Sequence, residues 1–456
     1  MSIHATPRTR PWVHPRDAGA PVETPTPRPA PLHAALPFAS LVWVTRILGY
    51  GIGILPFIAA VVPFSVGTGT QSRIVAALVV SVLLVGGWLL ALVITRQATF
   101  VRTPINAPSL AMCLVWILAC IASNAFLDPR IAVRLGQSFV SVQAASITVT
   151  IACVGLMVLG ANIGRNPRYA EVATWSLVAV GSGMIVLFFL GRDGRFSFIS
   201  TGGLFSLWVV TLAYAQGLSN ERLWWPLRLG LLAIAGAYLV KSAIMQTVWL
   251  SGWMPAVAAV VVVTFLRSIP LFLVGSAAGS VGLIFWWDKI EAAVFEANVD
   301  EGSGTRIDIW LQAWDLLSQY PLLGTGPAGY ASYYMTLYTG SASSMSTHSN
   351  YVDVAAQTGI VGSIVFLWLL GALAVVAFQA CRRWNNSRGF EGAFVQGATG
   401  GLAGAVVAMA LGDWVLPFVY NQGIGGFRYT VHTWVYLGLM AGLAAVPAVA
   451  VKRRSR

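Results

Sequence analysis

The chain has 456 residues, of which 57% are hydrophobic and only 10% charged, and its formal net charge is +12. A soluble globular protein carries about 25% charged residues, so this composition excludes a water-exposed surface wrapped around one core. The positive balance would suggest nucleic acid in a soluble chain. In a chain this apolar it reads better as arginine-rich cytoplasmic loops, and no nucleic-acid partner is expected.

Residues 1–37 are Pro-rich, basic and poor in large apolar side chains. They lack the apolar stretch of a cleavable signal peptide and are expected to form a disordered cytoplasmic tail. His4, His14 and His33 lie there, with no metal role expected. Apolar runs then follow near 41–63, 74–94, 107–127, 142–160, 172–190, 198–217, 228–245, 247–266, 269–287, 359–380, 393–418 and 430–450. A run of about 20 residues crosses the ~30 Å hydrocarbon layer as a helix, and lipid offers no backbone partner to any other open structure. The expected fold is therefore all-α: a polytopic integral membrane protein of about twelve transmembrane helices, nine within 38–287 and three within 359–450. The seventh and eighth runs are separated only by a narrow break at Met245–Gln246. Cys113, Cys120, Cys153 and Cys381 lie in or beside apolar runs and show neither a disulfide framework nor a metal spacing.

Twelve spans place both termini on one side. With that side cytoplasmic, the inner segments hold Arg96, Arg102, Arg165, Arg168, Arg222, Arg228, Arg267, Arg382, Arg383 and Arg388, together with the basic tail 451–456. The outer side keeps fewer basic residues, as the positive-inside rule requires. The long polar segment 288–358, between the ninth and tenth helices, then faces the periplasm or exterior. A loop of that length is usually functional.

Within this loop Gly302-Ser303-Gly304 is a break, and Thr305-Arg306-Ile307-Asp308 reads as a capping box. Ile307, Trp310, Leu311, Trp314 and Leu317 then repeat at helical spacing, which predicts an amphipathic helix lying on the bilayer surface or on the bundle and ended by Pro321. Arg306 falls in its first turn, where free N–H groups and the helix dipole favour anions and a guanidinium would fork onto two phosphate oxygens; snorkelling to lipid headgroups is the plainer alternative. Pro321-Leu322-Leu323-Gly324-Thr325-Gly326-Pro327 fixes a turn with special dihedrals. Tyr330, Tyr333, Tyr334 and Tyr338 suit a membrane interface or a sugar ring, the interface being the simpler reading. Thr347-His348-Ser349-Asn350-Tyr351-Val352-Asp353 sets the one histidine of the loop just before an apolar helix. Imidazole is suited to accept a proton near neutral pH, although a lone histidine is often structural. Nearer the C-terminus, Arg428 with His432 forms a second outer pair that reads as structural, and Asp413 with Trp414, close to that same surface, could line a groove.

The run from Arg306 to Gly362 resembles the signature region of the O-antigen ligase and O-antigen polymerase superfamily of bacterial membrane glycosyltransferases. The resemblance rests on Arg306 with Trp310, on Pro321 with Gly324 and Gly326, on His348 with Asn350, and on Gly359 with Gly362. It implies that His348 is the base acting on an acceptor hydroxyl, that Arg306 holds the pyrophosphate of an undecaprenyl-linked donor, and that Trp310, Gly324, Gly326, Asn350 and Asp353 support the site. A second arginine of the family pattern has no counterpart, because Gln246 stands at its position; Lys241, Arg192 or Arg195 could supply that charge. Asn350 is displaced by one residue from the place next to the histidine, and Gln357 stands where an acid is common.

The expected activity is therefore transfer of a glycan from a polyprenyl pyrophosphate to an acceptor on the outer face of the bacterial inner membrane. The acceptor would be lipid A core, another glycan or a protein. No cofactor is expected, and no acidic cluster has metal-ligand spacing, so the expected chemistry is metal-independent. A polymerase of the same superfamily is the first alternative. A lipid-linked glycan transporter or flippase is the alternative from another class, though the halves show no internal repeat and the long loop is off-centre. A non-catalytic assembly factor would leave His348 and Arg306 freely replaceable.

Overall fold

A helix lies over each of the twelve apolar runs. The structure, a computed structural model, describes residues 36–67, 73–95, 100–132, 139–245, 250–299, 306–340, 346–384 and 386–447. The N-terminal tail with its histidines, Gln246, the Gly302–Gly304 break with Thr305, and the basic C-terminal tail lie outside the described residues. The chain begins with α1 (Leu36–Val61), a two-stranded antiparallel hairpin of β1 (Ser65–Gly67) and β2 (Arg73–Val75), α2 (Ala76–Thr95), α3 (Asn106–Ala125), the short α4 (Pro129–Ala132), α5 (Phe139–Ile163) and α6 (Pro167–Phe189). It continues with α7 (Phe205–Ser219), α8 (Trp225–Met245), α9 (Leu250–Arg267), α10 (Ile269–Val299), α11 (Arg306–Gln319) and α12 (Gly329–Tyr334). The last helices are α13 (Asn350–Trp384), α14 (Phe390–Leu411), the short α15 (Val419–Gln422) and α16 (Phe427–Ala444).

Eight of the described helices, α1, α2, α3, α5, α6, α9, α13 and α14, are long and apolar enough to cross a membrane. They leave large apolar side chains uncovered, among them Leu83, Val93, Ile364, Leu367 and Phe378. In water such a surface would drive aggregation, whereas in lipid it is the solvated face. Helix α16 is different. It is buried along nearly its whole length and packs against α1, α5, α6, α7, α13 and α14, so it meets protein rather than lipid and tolerates Arg428 and His432. His432 is buried with its ring edge-on to Phe205 at 6.1 Å.

Small residues let these backbones approach. Gly160 and Gly164 of α5 face Gly438 and Gly442 of α16: a Cβ on Gly438 would stand 2.5 Å from the Met157 carbonyl oxygen, and one on Gly442 2.7 Å from the Gly164 Cα. Helix α14 repeats the device against α9, where a Cβ on Gly404 would meet the Pro255 carbonyl oxygen at 2.5 Å. In lipid, helices associate by such close packing, because the tails are as apolar as leucine and burial supplies little drive.

Two boundaries differ from the sequence expectation. Helix α10 continues to Val299 instead of ending near 287, because the charges at Asp288, Lys289 and Glu291 mark the end of the apolar stretch, not of the helical hydrogen bonding. Instead of starting at 359, the helix begins at Asn350 and is interrupted at Gly359, with φ 67°, ψ −163°. The segment 350–358 is thus a short helix leading into the span.

Candidate functional site

The Pro-x-x-Gly-x-Gly turn and the Gly359-x-x-Gly362 element are two halves of one structure. A broken helix leaves carbonyls and N–H groups without their usual partners, which is costly away from water. Here the turn supplies them. The N–H groups of Thr325 and Gly326 donate to the Ala356 and Gln357 carbonyls, both at 2.9 Å, and the N–H groups of Ile360 and Val361 donate to the Pro321 and Leu322 carbonyls at 2.8 and 3.3 Å. Gly324 takes φ +65°, and a Cβ there would lie 2.5 Å from the Gln357 carbonyl carbon. Only glycine meets both conditions. Gly326 approaches Ser123 of α3 just as closely, which docks the turn onto the bundle.

The short helix 350–358 presents Asn350, Asp353 and Gln357 on one buried face. Asn350 accepts from the Val415 and Leu416 N–H groups at 3.1 and 3.3 Å and donates its amide to the Leu416 carbonyl at 2.8 Å. Asp353 accepts from the Gln357 amide at 2.7 Å and from the Tyr420 hydroxyl. Gln357 in turn accepts from the Ala328 N–H. Asn350 and Asp353, expected as supporting residues, therefore lock the turn 321–328 and the segment 412–420 onto one helix. The amide at 357 completes this network, donating to Asp353 and accepting from the Ala328 N–H, which a carboxylate could not do on both sides.

His348 lies just before that helix, half-buried, with φ +51°. A non-glycine residue in the left-handed region is uncommon and often sits at a functional position. Its N–H donates to the Ser346 hydroxyl at 3.1 Å, and that hydroxyl donates to the buried Asp413 carboxylate at 3.4 Å. The same carboxylate oxygen accepts from the Asn421 amide at 2.7 Å. Ser349 donates to the Met409 carbonyl at 3.3 Å, so the histidine segment rests on the last turn of α14.

Arg306 opens α11 and reaches the same turn, donating to the Leu411 carbonyl at 3.4 Å. A guanidinium at a helix C-terminus is favourable in itself. The indole of Trp310 donates to the Thr347 carbonyl at 2.7 Å, tying the arginine's helix to the residue before the histidine. Arg306 and the neighbours of His348, Thr347 by way of Trp310 and Ser349 directly, are thus tied to the end of α14. Lys241, Arg192 and Arg195 form another group. The Lys241 ammonium lies 4.3 Å from the centre of the Phe188 ring, and Arg192 and Arg195 are exposed in the turn after α6.

Two expectations about side-chain faces change. Ile307, Leu311 and Trp314 are exposed, and α11 buries Ile309, Ala313, Leu316 and Leu317 instead. The helix is apolar on two sides, one against protein and one outward. Tyr330, Tyr333 and Tyr334 are at most 1% exposed and pack with Ile131, Ala313 and Leu316. They build the core of the loop, so they meet neither an interface nor a sugar. Tyr338 donates to Asp315 and Tyr320 donates to Asp128. The Arg130 guanidinium, together with the Tyr320 hydroxyl, holds the Asp128 carboxyl well below the usual carboxylate range.

Ser346, Asn421 and Tyr420 are partners that spacing alone did not single out, and Asp413 stood out only as a possible groove residue. One signal was present: Asp413 is the last acidic residue of the chain, alone in an apolar stretch, and such residues are costly unless they serve a site. Among the described residues no group of three or more His, Cys, Asp or Glu side chains is placed to hold a metal ion.

The fold is that of an all-α integral membrane protein, and it brings Arg306 and the His348 segment to the last turn of α14. Residues 173–367 match the family model described as O-antigen ligase. The match runs from α6 through the histidine segment into α13 and supports the O-antigen ligase and polymerase superfamily for this chain. None of the curated proteins compared matches it.

Proposed function

We propose that the protein transfers a glycan from a polyprenyl pyrophosphate to an acceptor hydroxyl at the outer face of the bacterial cytoplasmic membrane, as an O-antigen ligase-like enzyme. The acceptor oxygen attacks the anomeric carbon of the donor sugar as the bond from that carbon to the pyrophosphate oxygen breaks. The hydroxyl proton passes to the His348 imidazole, and the electron pair leaves with the polyprenyl pyrophosphate. A general base of this kind contributes roughly 100- to 10,000-fold. Arg306 offers a planar fork of N–H donors to the charge growing on the leaving group. The observation that carries this reading is that Arg306 and Ser349, the neighbour of His348, are both anchored on the last turn of α14, with Trp310 bonded to Thr347.

The orientation has its own support. Arg102, Arg165 and Arg383 line one cavity at the other end of the bundle. The part of α13 beyond the Gly359 break, 360–384, separates that end from the His348 segment, which at 1.5 Å per residue is roughly 37 Å, more than the hydrocarbon thickness. Basic residues favour the cytoplasmic side, which supports an outward-facing His348 end.

The test uses purified protein in detergent, a defined polyprenyl-pyrophosphate glycan and an acceptor glycan. Product formation with no membrane to cross separates an enzyme from a transporter. His348→Ala is expected to lower the rate by roughly 100-fold or more with helicity unchanged, and near-normal transfer by that variant would remove the mechanism. Products lengthened by repeated units would identify the polymerase activity in place of the ligase.

A further inference from the structure

A cavity of about 450 Å³ opens beside the site, between the turn after α6, the segment after α14 and the start of α16. Its volume lies in the range of small-ligand sites. Ser200, Thr201, Trp414, Gln422, Arg428 and Tyr429 contribute to its lining, and among the described residues no carboxylate does. Two lining side chains carry buried polar atoms with no hydrogen-bond partner among the described residues: Nη2 of Arg428, a donor, and Oε1 of Gln422, an acceptor. Buried polar atoms are rarely left so, and both belong to residues that line this one cavity. The donor belongs to a permanent cation, for which an anionic partner is the effective remedy.

The walls add a second requirement. Trp414 and Tyr429 meet edge-to-face at 88°, with ring centres 6.3 Å apart. Gly203, at φ +58°, packs directly against this pair, since a Cβ there would stand 2.6 Å from Tyr429 and 3.2 Å from Trp414. Aromatic faces and hydroxyls around one cation suit a ring with apolar C–H faces, several hydroxyls and a negative charge. The cavity is also coupled to the histidine segment, because Gln422 donates to the Asp413 carbonyl at 3.1 Å and the Asp413 carboxylate accepts from Ser346.

We infer that this cavity is a subsite for an anionic sugar unit of the glycan substrate, a pyranose bearing a carboxylate or phosphate, held by Arg428 and Gln422 against the Trp414–Tyr429 wall. The inference rests on the glycan-transfer reading and gives it a substrate class: glycans with an acidic residue next to the point of transfer.

Tryptophan fluorescence and calorimetry on the purified full chain in detergent test it with three probes: a galacturonic acid trimer, a neutral galactose trimer and inorganic pyrophosphate. The galacturonate trimer is expected to bind most tightly, and Arg428→Gln is expected to weaken it by about tenfold or more, as for loss of a charge-assisted bond, while leaving the weak neutral binding unchanged. Thr201→Phe, which fills the cavity from its rim, should abolish galacturonate binding even if Arg428→Gln folds poorly. Equal binding of acidic and neutral trimers, or galacturonate binding unaffected by both variants, overturns the inference. So does pyrophosphate binding with the same Arg428 dependence in the absence of galacturonate binding, because the cavity would then serve the lipid phosphate. His348→Ala separates the two readings: if it still transfers glycan, the mechanism fails while Arg428-dependent binding stands, and if it alone is inactive while Arg428→Gln binds normally, only the subsite fails.

Discussion

The Trp310 indole N–H donates to the Thr347 carbonyl at 2.7 Å, and this bond joins the helix that begins at Arg306 to the segment that holds His348. Trp310→Phe keeps an aromatic ring and removes only the donor. A net hydrogen bond is worth about 1 kcal/mol, so the melting temperature should change little. The position of Arg306 relative to His348 should loosen, and transfer is expected to fall by roughly tenfold, since misplacement of reacting groups is costly to rate. Comparing single-turnover rates with thermal unfolding checks this; equal, small losses in both would reduce Trp310 to packing.

Arg306 is expected to be intolerant of lysine. The ammonium keeps the charge and can still cap α14, whose last turn Arg306 reaches through Leu411, but it lacks the planar fork. Arg306→Lys should therefore retain near-normal stability and lose most of its transfer rate. A variant with full rate and unchanged apparent affinity for the pyrophosphate donor would confine Arg306 to capping.

Gly324 carries a structural prediction. Its φ of +65° and the 2.5 Å approach of a Cβ to the Gln357 carbonyl carbon mean that Gly324→Ala must displace the turn from the break at Gly359. Left-handed strain alone costs about 1–3 kcal/mol, before the lost bonds from Thr325 and Gly326 are counted. The midpoint of thermal unfolding should drop, and amide exchange should rise first in 321–326 and 356–361. Unchanged protection there would show that the turn adapts.

Much of this architecture was legible in the sequence, and the illegible part has a common cause. Apolar runs mark where helices lie, and the order from Arg306 to Gly362 marks the residues that gather around the break. Periodicity reports which side chains avoid water, but lipid and protein interior are equally apolar. The stripe of Ile307, Leu311 and Trp314 therefore did not reveal that it points outward while Ile309, Ala313 and Leu316 pack inward. The tyrosines 330, 333 and 334 looked interfacial for the same reason and are core. The contact of Asp413 with Ser346 joins segments far apart in the chain, which local spacing cannot encode.

Asp128 predicts how the loop responds to acid. Its carboxyl is held well below the usual carboxylate range, first by Arg130 and then by Tyr320. A depressed folded-state pKa contributes stability above the unfolded value, about 3.9, and loses it as pH falls through the folded value. The Tyr320 link to the bundle should thus be intact at neutral pH and weaken only below about pH 4. Asp128→Asn should remove this acid dependence and raise proteolytic nicking of 306–340 at neutral pH. Identical nicking in both proteins would show that the link carries no load.

The outward stripe of α11 gives the last prediction. Trp314 is 70% exposed and Leu311 63%, beside a helix face that buries Ile309 and Ala313 against the protein. An apolar stripe of this kind is stable when it dips into the headgroup boundary, where tryptophan is favoured. With Cys113, Cys120, Cys153 and Cys381 replaced by serine or alanine, Trp314→Cys should react in intact cells with a thiol reagent that cannot cross the inner membrane. Ala313→Cys, one position away on the buried face, should react far more slowly. A spin label at 314 should show oxygen accessibility typical of the interface. Reaction at 314 only after the inner membrane is opened would put the His348 end in the cytoplasm, where the proposed transfer could not occur on the outer face.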